Sequence, residues 1–140
     1  KFESNSTFMD EYSDTLADVA MHYWKNDLLK DVPNMVPVKD KDFNPAFWQN
    51  MTTFGVSLGI PTELYPTNPE LAFKAITDKT SISWPNPAER DSAKLDDLLH
   101  AAVNSRGSFF NASEATDFAS KLAKALFLNI ADVSPSISMA

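Results

Sequence analysis

The chain has 140 residues, 44% hydrophobic and 22% charged, which is the composition of one globular domain, or a large piece of one, and not of a disordered chain. Twelve basic residues against nineteen acidic ones leave a formal charge of −7, which opposes contact with a phosphate backbone and argues against nucleic acid as a partner. Cysteine is absent, which removes thiol catalysis, zinc–thiolate sites and disulfides together, and no apolar run approaches the roughly 20 residues that span a bilayer. Lys1 to Asp10 is polar and does not read as a cleavable signal.

In chain order, the first helix is predicted over Asp14–Asn26, with Ser13 or Asp14 as its N-cap. Leu16, Val19, Ala20 and Tyr23 fall at i, i+3, i+4 and i+7 and form one apolar stripe. Pro33, Pro37 and Pro45 then break the chain before a strand over Met51–Leu58, whose two faces both carry apolar or small residues. That pattern suits a buried central strand. After Pro61 and Pro66, a short helix starts near Asn68 with Pro69 at its first position and a stripe of Leu71, Ala72, Ala75 and Ile76. Pro85 and Pro87 precede a helix over Ser92–Ser105, with a stripe of Leu95, Leu98, Leu99, Ala102 and Val103 and Gly107 as its stop. Ser108–Asn111 reads as a short edge strand. The last helix begins at Ser113, has Glu114 and Asp117 in its first turn, presents Phe118, Leu122, Ala125, Leu126 and Asn129 on one face, and fades near Ala131.

Helices alternating with strands imply an α/β fold: a parallel sheet with covering helices. Two strands are too few, since a doubly wound fold of this length should show about four or five. Either the proline-rich segments hide strands or this chain is part of a larger sheet. The expected core centre is Phe54 and Val56, packed by Leu16, Val19, Ala20 and Tyr23 on one side and by Leu98, Leu99 and Ala102 on the other.

Chemistry-bearing residues are sparse. His22 follows Asp18 by one turn, and His100 follows Asp96 and Asp97. Such pairs can hold a metal or orient an imidazole, but the plainer reading is a helix-surface pair. The run Asp40-Lys41-Asp42-Phe43-Asn44 starts like a calcium loop, yet Pro45 stands where a glycine is needed and Met51 where a bidentate glutamate belongs. Asp132-Val133-Ser134-Pro135-Ser136 has the Asp-x-Ser-x-Ser form of a metal-ion-dependent adhesion site, but it follows a helical period where that site requires a strand. Trp84 lies in a proline-flanked loop and reads as a lid over the core. No serine elbow and no glycine-rich phosphate loop is present. The sequence therefore assigns no catalytic, cofactor-binding or metal-ligating residue.

Three blocks in order carry a family resemblance: Asp18 to Leu28, Trp48 to Gly59, and Trp84-Pro85 with Asp96 to Gly107 and Phe109-Phe110. Together they resemble the PilC/PilY-type tip adhesins and assembly factors of type IV pili, over roughly residues 15 to 130. The resemblance implies that residues 1–132 are the C-terminal part of a von Willebrand A-like domain, with residues 60–90 a variable insertion and residues 133–140 a linker or tail. Met51–Leu58 and Phe109–Phe110 would be its last two core strands. The family's metal loops would lie before Lys1, so no ligand is carried over. The function implied is non-enzymatic: pilus biogenesis and adhesion through contacts with the pilus tip, minor pilins or a host surface receptor, in an exported protein at the bacterial surface. The alternatives are a small acidic metal-dependent hydrolase built on Asp96, Asp97 and His100, or an unrelated α/β interaction module.

Overall fold

The structure is a computed structural model, and it describes residues 7–112 and 115–133. Among these residues the order is α1 (Leu16–Lys25), β1 (Phe54–Leu58), α2 (Glu70–Asp78), α3 (Asp91–Asn104), β2 (Ser108–Ala112) and α4 (Ala115–Val133). The two strands pair in parallel, with Phe54 opposite Ser108 and Leu58 opposite Ala112. The helix-rich α/β reading and the parallel pairing both hold.

The sheet lies between two helices. Gly55 faces α3, since a Cβ there would lie 2.6 Å from the Phe109 ring and 3.2 Å from Leu98. Phe110 points to the other face, where Lys124 of α4 lies 5.8 Å from its ring centre. Alternation along the strand therefore buries Gly55 and Ser57 and leaves Phe54 and Val56 only half-buried, which corrects the expected core centre. The core sits on the α3 side and is built around Trp24, Trp84, Leu99, Val103 and Phe109. Met51 to Thr53 stay outside the ladder because their backbone is used elsewhere: Met51 N–H donates to Tyr23 O and Thr53 N–H to Ser105 Oγ.

α1 starts later than its sequence period suggests. Its N-cap is Thr15, whose hydroxyl accepts from Asp18 N–H while the Asp18 carboxylate accepts from Thr15 N–H, a capping box. The buried face is Ala17, Ala20, Met21 and Trp24. Leu16, Val19 and Tyr23 are 45%, 47% and 44% exposed, so the expected stripe is displaced by one residue and mostly faces outward. Both sets obey the same period. The alanines on the buried face let α1 lie close along α3, where Asn104 Nδ2 donates to Ala17 O.

α3 is buried over its whole last turn and a half, from Leu99 to Asn104. It ends in a Schellman arrangement, with Arg106 N–H on Val103 O and Gly107 N–H on Ala102 O. The left-handed residue of that motif is Arg106, at φ 59°, and not a glycine. α2 buries Ala72, Ala75 and Ile76 as predicted, while Leu71 is exposed. Residues 60–90 also send Thr62, Ile82 and Trp84 inside, so this stretch is built into the body of the fold. On α4 Phe118 is half-buried, but Leu122 and Leu126 of the expected apolar face are exposed. The expected start at Ser113 and Glu114 lies outside the described residues, and the helix runs two residues past Ala131. No helix among the described residues is long and apolar enough to cross a membrane.

Candidate functional site

The polar residues of α3 form the most organised constellation among the described residues. Asp96, His100 and Asn104 recur at intervals of four, which places them along one line of the helix. All three are buried. Asp97 lies beside them and is half-buried.

Each reaches a different part of the chain. The Asp96 carboxylate accepts from Glu63 N–H at 2.9 Å and from Leu64 N–H at 3.1 Å. Burial raises its pKa, and the two backbone donors only partly offset that. Asp97 accepts from Leu16 N–H and Ala17 N–H and so satisfies two of the orphan donors that open α1. His100 Nε2 lies 3.1 Å from Phe8 O, and its Nδ1 lies 3.4 Å from Asp10 Oδ2. The indole of Trp84 lies flat on the imidazole, with ring centres 4.1 Å apart and an angle of 8° between planes.

The helix-surface reading of these residues is therefore corrected. Asp96 and His100 are buried, and they are not partners of each other. The three groups of the hydrolase alternative point to three separate segments and do not converge on one reactive position. His22 is exposed, its ring stands edge-on to Tyr23, and Asp18 serves the α1 capping box.

Burial pushes the Asp10 carboxyl up, but the His100 ring and Tyr12 N–H together hold it below its ordinary value. Asp10 also lines an open groove of about 490 Å³ between Met9–Tyr12 and Ser81–Trp84. Trp84 closes the inner wall of that groove; it is 5% exposed, so the lid reading holds.

The sequence pattern singles out Gly107 but not its neighbour Arg106. Its guanidinium lies between two rings, 4.0 Å from the centre of Phe8 and 3.8 Å from that of Trp24. Nη1 donates to Asn104 O and to Val103 O, which also accepts from Arg106 N–H, at the end of α3 where the helix dipole favours a cation. Nε is buried without an acceptor. Burial pulls its pKa down to about 9, so it remains a buried cation at neutral pH.

The calcium-like run is an Asx turn. Asp40 Oδ1 accepts from Asp42 N–H and Phe43 N–H, and Asn44 Oδ1 accepts from Trp24 Nε1 and Ala46 N–H. Asp132 and Val133 belong to α4, while Ser134 to Ser136 lie outside the described residues. Among the described residues no group of three or more His, Asp or Glu side chains could hold a metal ion.

Over an alignment of 131 residues the chain is 35% identical to the type IV pilus biogenesis factor PilY1 of Pseudomonas aeruginosa strain PAK, a match covering 79% of this chain and 11% of that protein. It is 34% identical to PilY1 of strain PAO1, with the same coverage, and 35% identical over 126 residues to PilY1 of strain UCBPP-PA14. The chain thus spans about a tenth of the length of these relatives. No protein-family profile and no solved structure matches it. Over the matched segment, the chain belongs to the PilY1-type family of type IV pilus biogenesis factors.

Proposed function

We propose that this chain is a segment of an exported, surface-associated pilus biogenesis protein that works through protein–protein contacts and not by catalysis. The observation that carries this reading is the 35% identity to PilY1 across 79% of the chain. The direct partners on this reading are pilus components at the tip, the minor pilins, with a host surface receptor as the adhesive target. The test is an in-frame deletion of residues 7–133 in the bacterium that encodes the chain. Sheared surface pili should fall sharply while the shortened protein is still exported. Unchanged piliation would overturn the reading.

We further propose that the segment is the C-terminal part of a von Willebrand A-like domain, residues 1–132, and that residues 133–140 lead away from it. Layer spacing supports this. Packed helices lie about 8–10 Å apart and strands about 4.8 Å apart, so a layer of two helices suits about four strands. Here α1 and α3 form such a layer over a sheet of two strands, and α1 packs chiefly on α3. The tie between Met51 and Tyr23 puts the end of α1 near the chain entering β1. On this reading, further parallel strands join the free edge of β1 and cover the bare stripe of Leu16, Val19 and Tyr23. Amide exchange at Phe54–Leu58 should slow by at least an order of magnitude in a longer chain that includes the flanking sequence. Equal exchange in both chains would remove the domain assignment and leave the pilus reading standing.

A further inference from the structure

Thr7–Tyr12 belongs to no helix or strand, and side chains tie it to the body as a strap. Trp84 Nε1 donates to Thr7 O at 3.0 Å, Thr7 Oγ1 donates to Thr80 O at 2.6 Å, and the Phe8 ring covers Arg106. His100 grips the strap twice, at Phe8 O and at the Asp10 carboxylate. The His100 side chain is 2% exposed and that of Asp10 6%, so water competes little at either contact.

Both acceptors constrain the ring. A carbonyl oxygen only accepts, so Nε2 carries a proton. A carboxylate also only accepts. If Nδ1 is bare, its lone pair faces Asp10 Oδ2 across 3.4 Å, which is repulsive; if Nδ1 is protonated, the same contact becomes a charge-assisted hydrogen bond. The flat indole of Trp84 stabilises the cationic ring further.

We propose that the proton on His100 Nδ1 latches the Thr7–Tyr12 strap onto α3, and that losing it frees the strap and loosens one wall of the groove between the strap and Ser81–Trp84. Asp10 is the charged group that meets the ring from the strap, and Glu11 beside it is exposed. On α3 itself, Asp96 and Asp97 turn away to Glu63–Leu64 and to the start of α1. On α1, Asp18 is held in the capping box and His22 is exposed. Arg106 meets the strap at the Phe8 ring, and Ser81–Trp84 contributes no titratable group. The latch is therefore present while Nδ1 carries its proton and is lost with that proton. It withstands acid well, because the Asp10 carboxyl is held below its usual value.

Nitrogen-15 NMR of the 140-residue chain, from about pH 5 to 8, follows the ring nitrogens of both histidines, with exposed His22 as the internal reference. Two exchangeable protons report the strap: Tyr12 N–H, which donates to Asp10 Oδ1, and Trp84 Nε1–H, which donates to Thr7 O. As His100 loses its Nδ1 proton, both should exchange about tenfold faster than base catalysis alone explains. Asp10→Asn should abolish that step while the ring still titrates. The proposal is overturned if the two protons ignore the His100 titration, if Asp10→Asn keeps the step, or if the ring is neutral throughout. Should Asp10→Asn not fold, the wild-type titration decides alone.

Discussion

Gly107 and Thr53 meet backbone to backbone: a Cβ on Gly107 would lie 1.8 Å from the Thr53 carbonyl oxygen. The glycine after α3 is therefore required by close approach to the chain entering β1, and the left-handed turn beside it falls to Arg106. Gly107→Ala cannot be absorbed by a flexible side chain, because the obstacle is main chain. The expected loss is about 3 kcal/mol or more in denaturant unfolding, at the upper end of overpacking. Gly59→Ala is the control. Its φ is +76° with open space around it, so only backbone strain of about 1 kcal/mol is expected. Equal losses in the two variants would contradict the contact.

Arg106 sets two opposing effects against each other. Its left-handed backbone costs about 1 kcal/mol that glycine would not incur. The desolvated sandwich between Phe8 and Trp24 contributes about 2 kcal/mol or more. Arg106→Gly should therefore be net destabilising by about 1 kcal/mol or more, and Arg106→Ala by more than Arg106→Gly. A glycine variant that melts above the wild type would show that the strain outweighs the stack.

Asp96→Ala leaves Glu63 N–H and Leu64 N–H without their acceptor, at about 1 kcal/mol for each of these partly buried hydrogen bonds. The pH dependence follows from the direction of its shift. A carboxyl whose folded pKa is raised contributes most below its unfolded value, near 3.8, and loses that contribution as pH rises through the raised folded value. The stability gap between wild type and Asp96→Ala should thus be wider in acid, while both still fold, than at neutral pH. A gap that widens toward neutral pH would mean that the backbone donors outweigh burial.

Trp24→Ala should cost about 3–5 kcal/mol, since the ring is fully buried. Val19→Lys, on the exposed stripe of the same helix, should change the stability of this chain by no more than about 0.5 kcal/mol. In a longer chain carrying the flanking sequence, the same lysine should cost several-fold more, because it would enter the proposed strand interface. Thermal melts of the two parent chains and the three variants check both statements.

α3 was legible to within one residue at each end, because its apolar period agrees with its packing. The parallel pairing was legible from the alternation of helix and strand. The buried face of α1 was not, because Leu16-Val19-Ala20-Tyr23 and Ala17-Ala20-Met21-Trp24 satisfy one period equally, and only contact with α3 selects the second. The partners of Asp96 and His100 were invisible for a different reason. They lie at Glu63–Leu64 and Phe8–Asp10, and local spacing carries no signal for contacts that distant. Thr15 and Asp18, by contrast, form a capping box that their spacing already displays.

The bonds that α3 makes to the start of the chain have a consequence for synthesis. Phe8, Leu16 and Ala17 lie 92, 81 and 80 residues ahead of the α3 side chains that hold them. At about 5–20 residues per second, a ribosome exposes those groups on the order of 4–18 s before their partners emerge. During that interval α1 has its own capping box but no helix to lie against, and Trp24, which α3 helps to bury, remains uncovered. The segment that carries α1 stays without its packing partner until α3 leaves the exit tunnel.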